Sequence, residues 1–321
     1  MRLLVTGATG LMGSNVVKLA IDRGYQVDAL VRDPETAGEL GELGARLVRG
    51  DILEEQSISA AVAEVDAVVH TAAVLGGGYS TATPEDHLRG NYDGAINVLR
   101  ATEGLPVRTV MVSSISVLDW SHTLSEISPI SPIRDDDRPY TVAKRAAYFE
   151  TMRRATLGQD VMTLMPSGIY GPGYVVERAL APAGFTSVIL EGVRGNIDSV
   201  ADTAIMWVHA EDLATAALNA LTSGQRGARY LSLGRVEDRC SVAALCNQAA
   251  EIAGSDSRVA EVTHADLAAQ GTANSTWADR PVTSGRFADT TVSDKELGVT
   301  YRTVREGLRD TVDWLAAIGR L

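Results

Sequence analysis

Thr6-Gly7-Ala8-Thr9-Gly10-Leu11-Met12-Gly13 is the stretch on which the reading of this chain turns. The apolar run Leu3 to Thr6 leads into it. A helical pattern leads out, from Leu11 to Arg23, with Leu11, Val16, Leu19 and Ala20 apolar. Glycine permits the tight turn and lets the backbone approach a pyrophosphate. The N–H groups at the helix start then bind the anion. Three glycines alone are a weak sign. Set between a first strand and a first helix, they specify a dinucleotide site, with Gly7, Thr9, Gly10, Leu11, Met12 and Gly13 against the ligand.

The rest of the first half repeats the strand–helix alternation. Strands are expected at Gln26 to Val31, Ala45 to Val48, Asp66 to Thr71, Val107 to Ser113 and Val161 to Met165. Helices are expected after Pro34, at Gln56 to Ala63, as one long element from His87 to Thr102, and from about Asp137 to Thr156. Such a succession builds βαβ units and a parallel, doubly wound α/β sheet of Rossmann type, with ligands at the carboxyl ends of the strands. Beyond Pro166 the alternation weakens. The expected division is a dinucleotide-binding domain over 1–165 and a smaller substrate-binding region over 166–321. Within that region, segments around 206–236 (Tyr230 to Leu233 among them) and the last helix, Val304 to Leu315, are expected to return to the first domain.

The chain has 321 residues, enough for a substantial core, and a net charge of −12. That charge removes any general attraction to nucleic acid or anionic lipid. No apolar run is long enough to span a bilayer, and the first residues enter a strand at once, so the chain reads as cytoplasmic. Cys240 and Cys246 are its only cysteines. Without further ligands they read as core residues, and no metal site is expected.

Tyr140 and Lys144, in Tyr-Thr-Val-Ala-Lys after Pro139, lie four apart and share a helix face. An ammonium beneath a phenol eases loss of its proton, and a phenol so tuned serves as a general acid/base. The second strand ends Val31-Arg32-Asp33. A guanidinium at Arg32 suits a 2′-phosphate, which favours NADP, while Asp33 keeps NAD open. Asp51 and Ile52 after the third strand are placed for the adenine. Thr71, Ala72 and Ala73 after the fourth are small and permit close approach.

Taken together, these motifs resemble the extended short-chain dehydrogenase/reductase family, also called the NAD-dependent epimerase/dehydratase family. The resemblance runs through the glycine loop, Asp51-Ile52, His70 to Ala73, Asn91 with Gly94 and Asn97, Val112-Ser113-Ser114, Tyr140 and Lys144, Met165 to Gly173, Val208 to Leu213 and the last helix. It implies that Ser114, with Ser113 as competitor, hydrogen-bonds a substrate carbonyl. Tyr140 would exchange the proton. Lys144 would hold the nicotinamide ribose and depress the phenol's pKa. Asn91 would assist, and Pro166, Ser167, Gly168 and Ile169 would line the nicotinamide pocket.

Three departures narrow the choice. Ile115-Ser116-Val117 stands where sugar-nucleotide dehydratases carry an acid pair. An apolar lead-in, Ala204 to Trp207, stands where epimerases often carry an arginine, for which Arg178 and Arg194 are candidate substitutes. Val31-Arg32-Asp33-Pro34 is similar to the dihydroflavonol-reductase-like branch. The expected activity is therefore NADP-dependent reduction of a moderately apolar ketone or aldehyde, or oxidation of the matching alcohol. Val74, Tyr79, Ser114, Trp120 and Tyr140 would line the substrate pocket, and His122 and His209 read as structural. The alternatives are an NDP-sugar 4-epimerase with tightly bound NAD and a non-catalytic NAD(P) sensor. A homodimer through the helices of Asn91 and Tyr140 is expected.

Overall fold

The computed structural model describes residues 1–76, 80–135, 137–263, 266 and 288–321. Its centre is a seven-stranded sheet of β1 (Arg2–Thr6), β2 (Gln26–Val31), β3 (Arg46–Arg49), β4 (Ala67–His70), β5 (Arg108–Val112), β6 (Val161–Pro166) and β7 (Arg229–Ser232). The order is β7-β6-β5-β4-β1-β2-β3, and every pairing is parallel. The order reverses between β1 and β4, so a crevice opens beyond their carboxyl ends.

Burial on both faces explains why the strands read as continuous apolar runs. Leu3, Val5, Val69, Val110 and Leu164 form one layer with α1 (Leu11–Asp22) and α6 (Ala210–Ser223). Leu4, Val68 and Met111 point the other way, onto α2 (Glu55–Val62), α3 (Gly94–Ala101) and α4 (Pro139–Thr156). A separate core joins α5 (Phe185–Val193), α7 (Val242–Ala253) and α8 (Val304–Ala317) through Ile189, Trp207, Leu245, Cys246 and Leu308.

Two expectations need correction. The last helix does not return to the sheet. Its stripe of Val304, Leu308 and Val312 packs with Leu245, Cys246 and Trp207, because those side chains supply the apolar surface that covers it. The long element expected from His87 to Thr102 starts earlier and is not uniform. A helical turn runs Pro84–Leu88, a wider turn with i→i+5 pairing spans Arg89–Asp93, and α3 follows. Thr83 starts it through a reciprocal cap, accepting from Asp86 N at 3.1 Å while the Asp86 carboxylate accepts from Thr83 N at 2.9 Å. Both cysteines are free, Cys246 buried and Cys240 partly so. No helix among the described residues is long and apolar enough to cross a membrane.

Candidate active site

The glycine loop is closed by geometry that only glycine allows. Gly7 has φ +70°, and a Cβ there would lie 2.5 Å from Ala72 N. A Cβ on Gly13 would lie 2.1 Å from the Gly7 carbonyl oxygen. The first turn of α1 therefore sits directly on the loop. Gly10 caps α1 without any side-chain acceptor, so the first-turn N–H groups face outward, as an anion site requires. Thr71 donates to the Thr6 carbonyl at 2.8 Å and fixes the small segment Thr71-Ala72-Ala73 against the loop. This cradle fits a dinucleotide pyrophosphate, because α1 starts on a glycine turn with no side chain to occupy its first N–H groups. Thr9, Gly10 and Leu11 keep surface exposure there, whereas Met12 is buried.

At the adenine end, Asp51 and Ile52 are held by residues the sequence reading gave no role. Ser57 Oγ accepts from Asp51 N at 3.0 Å, and Asn97 donates to the Ile52 carbonyl at 2.9 Å. Arg32 is exposed. The Asp33 carboxylate accepts from Glu35 N at 3.3 Å, where it caps the Pro34–Ala37 turn, and Arg49 lies 3.5 Å away.

Tyr140, Lys144 and Ser114 come together at the carboxyl ends of β5 and β6. Pro139 opens α4, which puts Tyr140 in the first turn and Lys144 one turn on, buried. Lys144 Nζ donates to the Val112 carbonyl at 3.1 Å and lies 6.0 Å from the centre of the Tyr140 ring. Desolvation pulls its pKa down to about 8. Tyr140 keeps some surface exposure, yet enough protein surrounds its hydroxyl for desolvation to raise its pKa, offset in part by a hydrogen bond with Ser114. The expected depression of the phenol by Lys144 is thus not seen in the protein itself. The interaction that lowers it comes from Ser114.

The two serines separate cleanly. Ser114 is partly exposed, accepts from Ser116 N at 3.1 Å and bonds Tyr140. Ser113 is buried, and its hydroxyl faces the interior with no partner among the described residues. Its hydroxyl is thus turned inward, away from the surface that Ser114 reaches. Asn91 has a structural duty. Its Oδ1 accepts from Val74 N and its Nδ2 donates to Val74 O, both at 3.0 Å. Its polar atoms hold the segment after β4, and its amide also lies 3.5 Å from His87 Nδ1.

That segment closes over the phenol. A Cβ on Gly76 would lie 2.7 Å from Tyr140 Cβ, and His87 stands edge-on to the Tyr140 ring with centroids 6.1 Å apart. Neither contact was read from the sequence; the Thr83-x-x-Asp86 spacing that starts this helical turn is the one local signal near His87. Trp120 packs against the cluster of Ile115, Leu118 and Met206 and donates to the Ile115 carbonyl at 2.9 Å. It braces the segment that carries Ser114 and keeps part of its surface exposed. Tyr79 lies outside the described residues.

Pro166 is buried, and Ser167 and Ile169 are partly exposed beside the site. Gly168 is explained otherwise: a Cβ there would strike the Trp207 ring at 2.7 Å, so the glycine serves the pairing of Gly168–Tyr170 with Trp207–His209. Asn15, a residue not singled out from the sequence, ties the two halves together. Its amide donates to the Leu11 carbonyl at 2.8 Å and to the Pro172 carbonyl at 2.9 Å. His209 accepts from Glu211 N at 3.3 Å and caps α6, a structural duty. No cluster of metal-ligating side chains occurs among the described residues.

The sequence profile of the NAD dependent epimerase/dehydratase family matches residues 3–233. The chain belongs to that family. A dTDP-glucose 4,6-dehydratase of Mycolicibacterium smegmatis is 34% identical over 245 residues, which are 72% of each chain. A putative dihydroflavonol 4-reductase of Synechocystis is 27% identical over 332 residues, 97% of this chain and 93% of that one. The solved structure of MoeE5 in complex with UDP-glucose and NAD superposes with a TM-score of 0.76 at 26% identity, covering 99% of both chains. The Rossmann-like sheet, the family and NAD(P)-dependent chemistry therefore stand together. The relatives span sugar dehydratases and reductases.

Proposed function

We propose that this family member is an NADP-dependent carbonyl reductase, or in reverse an alcohol dehydrogenase, for a moderately apolar ketone, aldehyde or secondary alcohol. The observation that carries this reading is the neighbourhood of Ser114. Ile115 and Val117 beside it are buried and apolar. Elimination of water from a sugar calls for an acid/base pair, and none flanks Ser114. Asp119 accepts from Ser121 N at 2.9 Å and serves its own turn. The lead-in to Trp207 is equally unsuited to a diphosphate: Met206 is fully buried and Ile205 half-buried. Arg194, a candidate substitute cation, donates to the Arg320 carbonyl at 2.9 Å and to Glu191 at 3.1 Å.

A nicotinamide dinucleotide, when bound, supplies or accepts the hydride. The loop from Gly7 to Gly13 and the start of α1 hold its pyrophosphate. Asp33 is engaged in capping, which leaves Arg32 to meet the adenosine ribose, and this supports NADP. Ser114 donates to the substrate oxygen and orients it. Tyr140 gives that oxygen its proton in reduction and takes it back in oxidation. Lys144, one helical turn on, would hold the nicotinamide ribose, and the Ser114 hydrogen bond favours the phenolate left behind.

The test is cofactor consumption over a panel of ketones, aldehydes and secondary alcohols, with NADPH and NADH side by side and Tyr140→Phe as the silent control. Arg32→Asp should move the kcat/KM ratio toward NADH by about tenfold or more. An unchanged ratio would remove the NADP assignment.

The 34% identity to a dTDP-glucose 4,6-dehydratase favours a second reading, an NDP-sugar enzyme with tightly held NAD. Purified protein that carries NAD and converts a dTDP- or UDP-sugar without added cofactor would establish it in place of the first.

We further propose a homodimer through α4. Val142 and Phe149 on α4 and Leu157 at its C-cap are 42%, 54% and 70% exposed, large apolar side chains that a partner helix would cover. Phe149→Glu should yield monomers in sedimentation velocity if the proposal holds.

A further inference from the structure

Between the sheet and α4 lies a narrow void of about 10 Å³, lined by His70, Ser113, Lys144 and Thr163 among others. Its position follows from strand register. His70 pairs with Met111 and Met111 with Thr163 across three adjacent strands, and Ser113 is two residues on, so all four side chains share one face. Three polar atoms here are buried without a hydrogen-bond partner: His70 Nε2, Ser113 Oγ and Thr163 Oγ1. A fourth group, the Lys144 ammonium, has one acceptor, the Val112 carbonyl. Asn91 also borders the void, but its amide is committed to Val74.

Orphaned polar groups in an interior cost about 1–3 kcal/mol each. Their concentration around a space of one water molecule's size, with more than two polar partners, is the recognised condition for a structural water. The ring of His70 fixes the arrangement. Its Nδ1 lies 2.7 Å from Thr6 Oγ1. Facing an ammonium, Nε2 is better placed as a lone pair than as an N–H, so we assign the proton to Nδ1, donating to Thr6.

We propose that one internal water is bound in this void, accepting a hydrogen bond from Lys144 and donating to His70 Nε2, with the Ser113 and Thr163 hydroxyls completing its shell. His70 is thereby a positioning residue that stabilises the charged form of Lys144 from behind. The direction of its own titration agrees: burial and the Lys144 charge hold its pKa down at about 3, so it stays a neutral acceptor. The other titratable groups around Lys144 are Tyr140 and Tyr148 on its own helix and, beyond Asn91, His87. The water site does not depend on the proposed reaction. Only its catalytic consequence rests on that reading.

The experiment uses the scarcity of lysine. The chain has three, Lys18, Lys144 and Lys295, so ε-carbon-labelled lysine gives three NMR signals, and Lys144→Arg assigns the one of interest. Thr163→Val, isosteric but without the hydroxyl, should lower the Lys144 midpoint by about one pH unit, and Ser113→Ala should act likewise. Thr163→Ser should restore the parent midpoint. His70→Leu should shift it at least as far. If that variant does not fold, the threonine pair decides. A crystal structure should place a water within hydrogen-bond distance of His70 Nε2 and both hydroxyls. An unchanged midpoint in Thr163→Val, or density without that water, overturns the proposal. In the kinetic arm, the basic limb of kcat/KM for carbonyl reduction should move down with the lysine midpoint. If the NMR midpoint moves while no carbonyl substrate is reduced, the water site stands and the oxidoreductase reading falls.

Discussion

Two buried histidines set the acid limit of the protein. Burial pushes both His70 and His209 down to about 3. Each is neutral in the folded chain over the range in which an unfolded histidine, near 6.5, gains a proton. Below about pH 6.5 the unfolded state binds the extra protons, so stability falls as pH falls. Each histidine contributes about 1.4 kcal/mol per pH unit until the folded midpoint near 3 is passed. Urea midpoints measured from pH 7 to pH 4 should decline steadily, and His209→Asn, which keeps a capping acceptor for α6, should flatten part of the slope. At the same scale, Tyr140→Phe removes the proposed proton donor while leaving the ring. Turnover should fall by roughly 10²- to 10⁴-fold with little change in melting temperature. These assignments also mark what the sequence could disclose. The spacing of Tyr140 and Lys144 was legible because four residues make one helical turn. Which of two adjacent serines faced the substrate was not, because that depends on the strand's pleat where β5 ends. Ser113 points inward and Ser114 outward on a one-residue difference.

At the level of elements, the glycine loop makes the sharpest prediction. Gly13→Ala would bring a methyl against the Gly7 carbonyl, a backbone atom that has no room to yield. Both cofactor affinity, read by fluorescence titration with NADPH, and melting temperature should drop. Gly76→Ala differs in kind. It presses on Tyr140 Cβ, so the phenol is displaced and kcat should fall with the fold intact. A turnover equal to the parent's would show that the segment yields instead. The loop was readable in advance because a strand, a turn and a helix in succession leave few conformations. The wide turn at Arg89–Asp93 was not readable. Its cause is a long-range demand, since Asn91 must reach both polar atoms of Val74, 17 residues away in sequence. A local pattern of apolar residues carries no trace of that requirement, and an uninterrupted helix was the natural expectation.

Across the whole molecule, Arg302 fastens the C-terminal segment to α6, the helix that follows the strand Trp207–His209. It donates to Asp212 through its backbone and its side chain, both at 3.0 Å, and also meets Glu211 and Asp310. Asp212 is buried. Arg302→Met would leave that carboxylate with the backbone N–H of residue 302 but no counter-charge, and should cost about 3 kcal/mol, measurable by urea unfolding. A double change with Asp212→Asn should recover much of the loss. Nothing local in the sequence announces this pair, which spans 90 residues, whereas the parallel sheet was legible from alternation alone. The second core was harder to foresee for a related reason. Apolar stripes on α7 and α8 satisfy one another, and periodicity tells which face is apolar without naming its partner.

The Asn15 amide grips the carbonyls of both Leu11 and Pro172. On the proposed reading, the segment that follows Pro166 to Ile169 thus hangs from the same short helix that would receive the diphosphate. Whatever settles that helix would also settle that segment. Turnover should then follow a compulsory sequence, dinucleotide arriving first and departing last. Product-inhibition plots should be competitive only between the oxidised and reduced dinucleotide, and Asn15→Leu should loosen that sequence toward random entry.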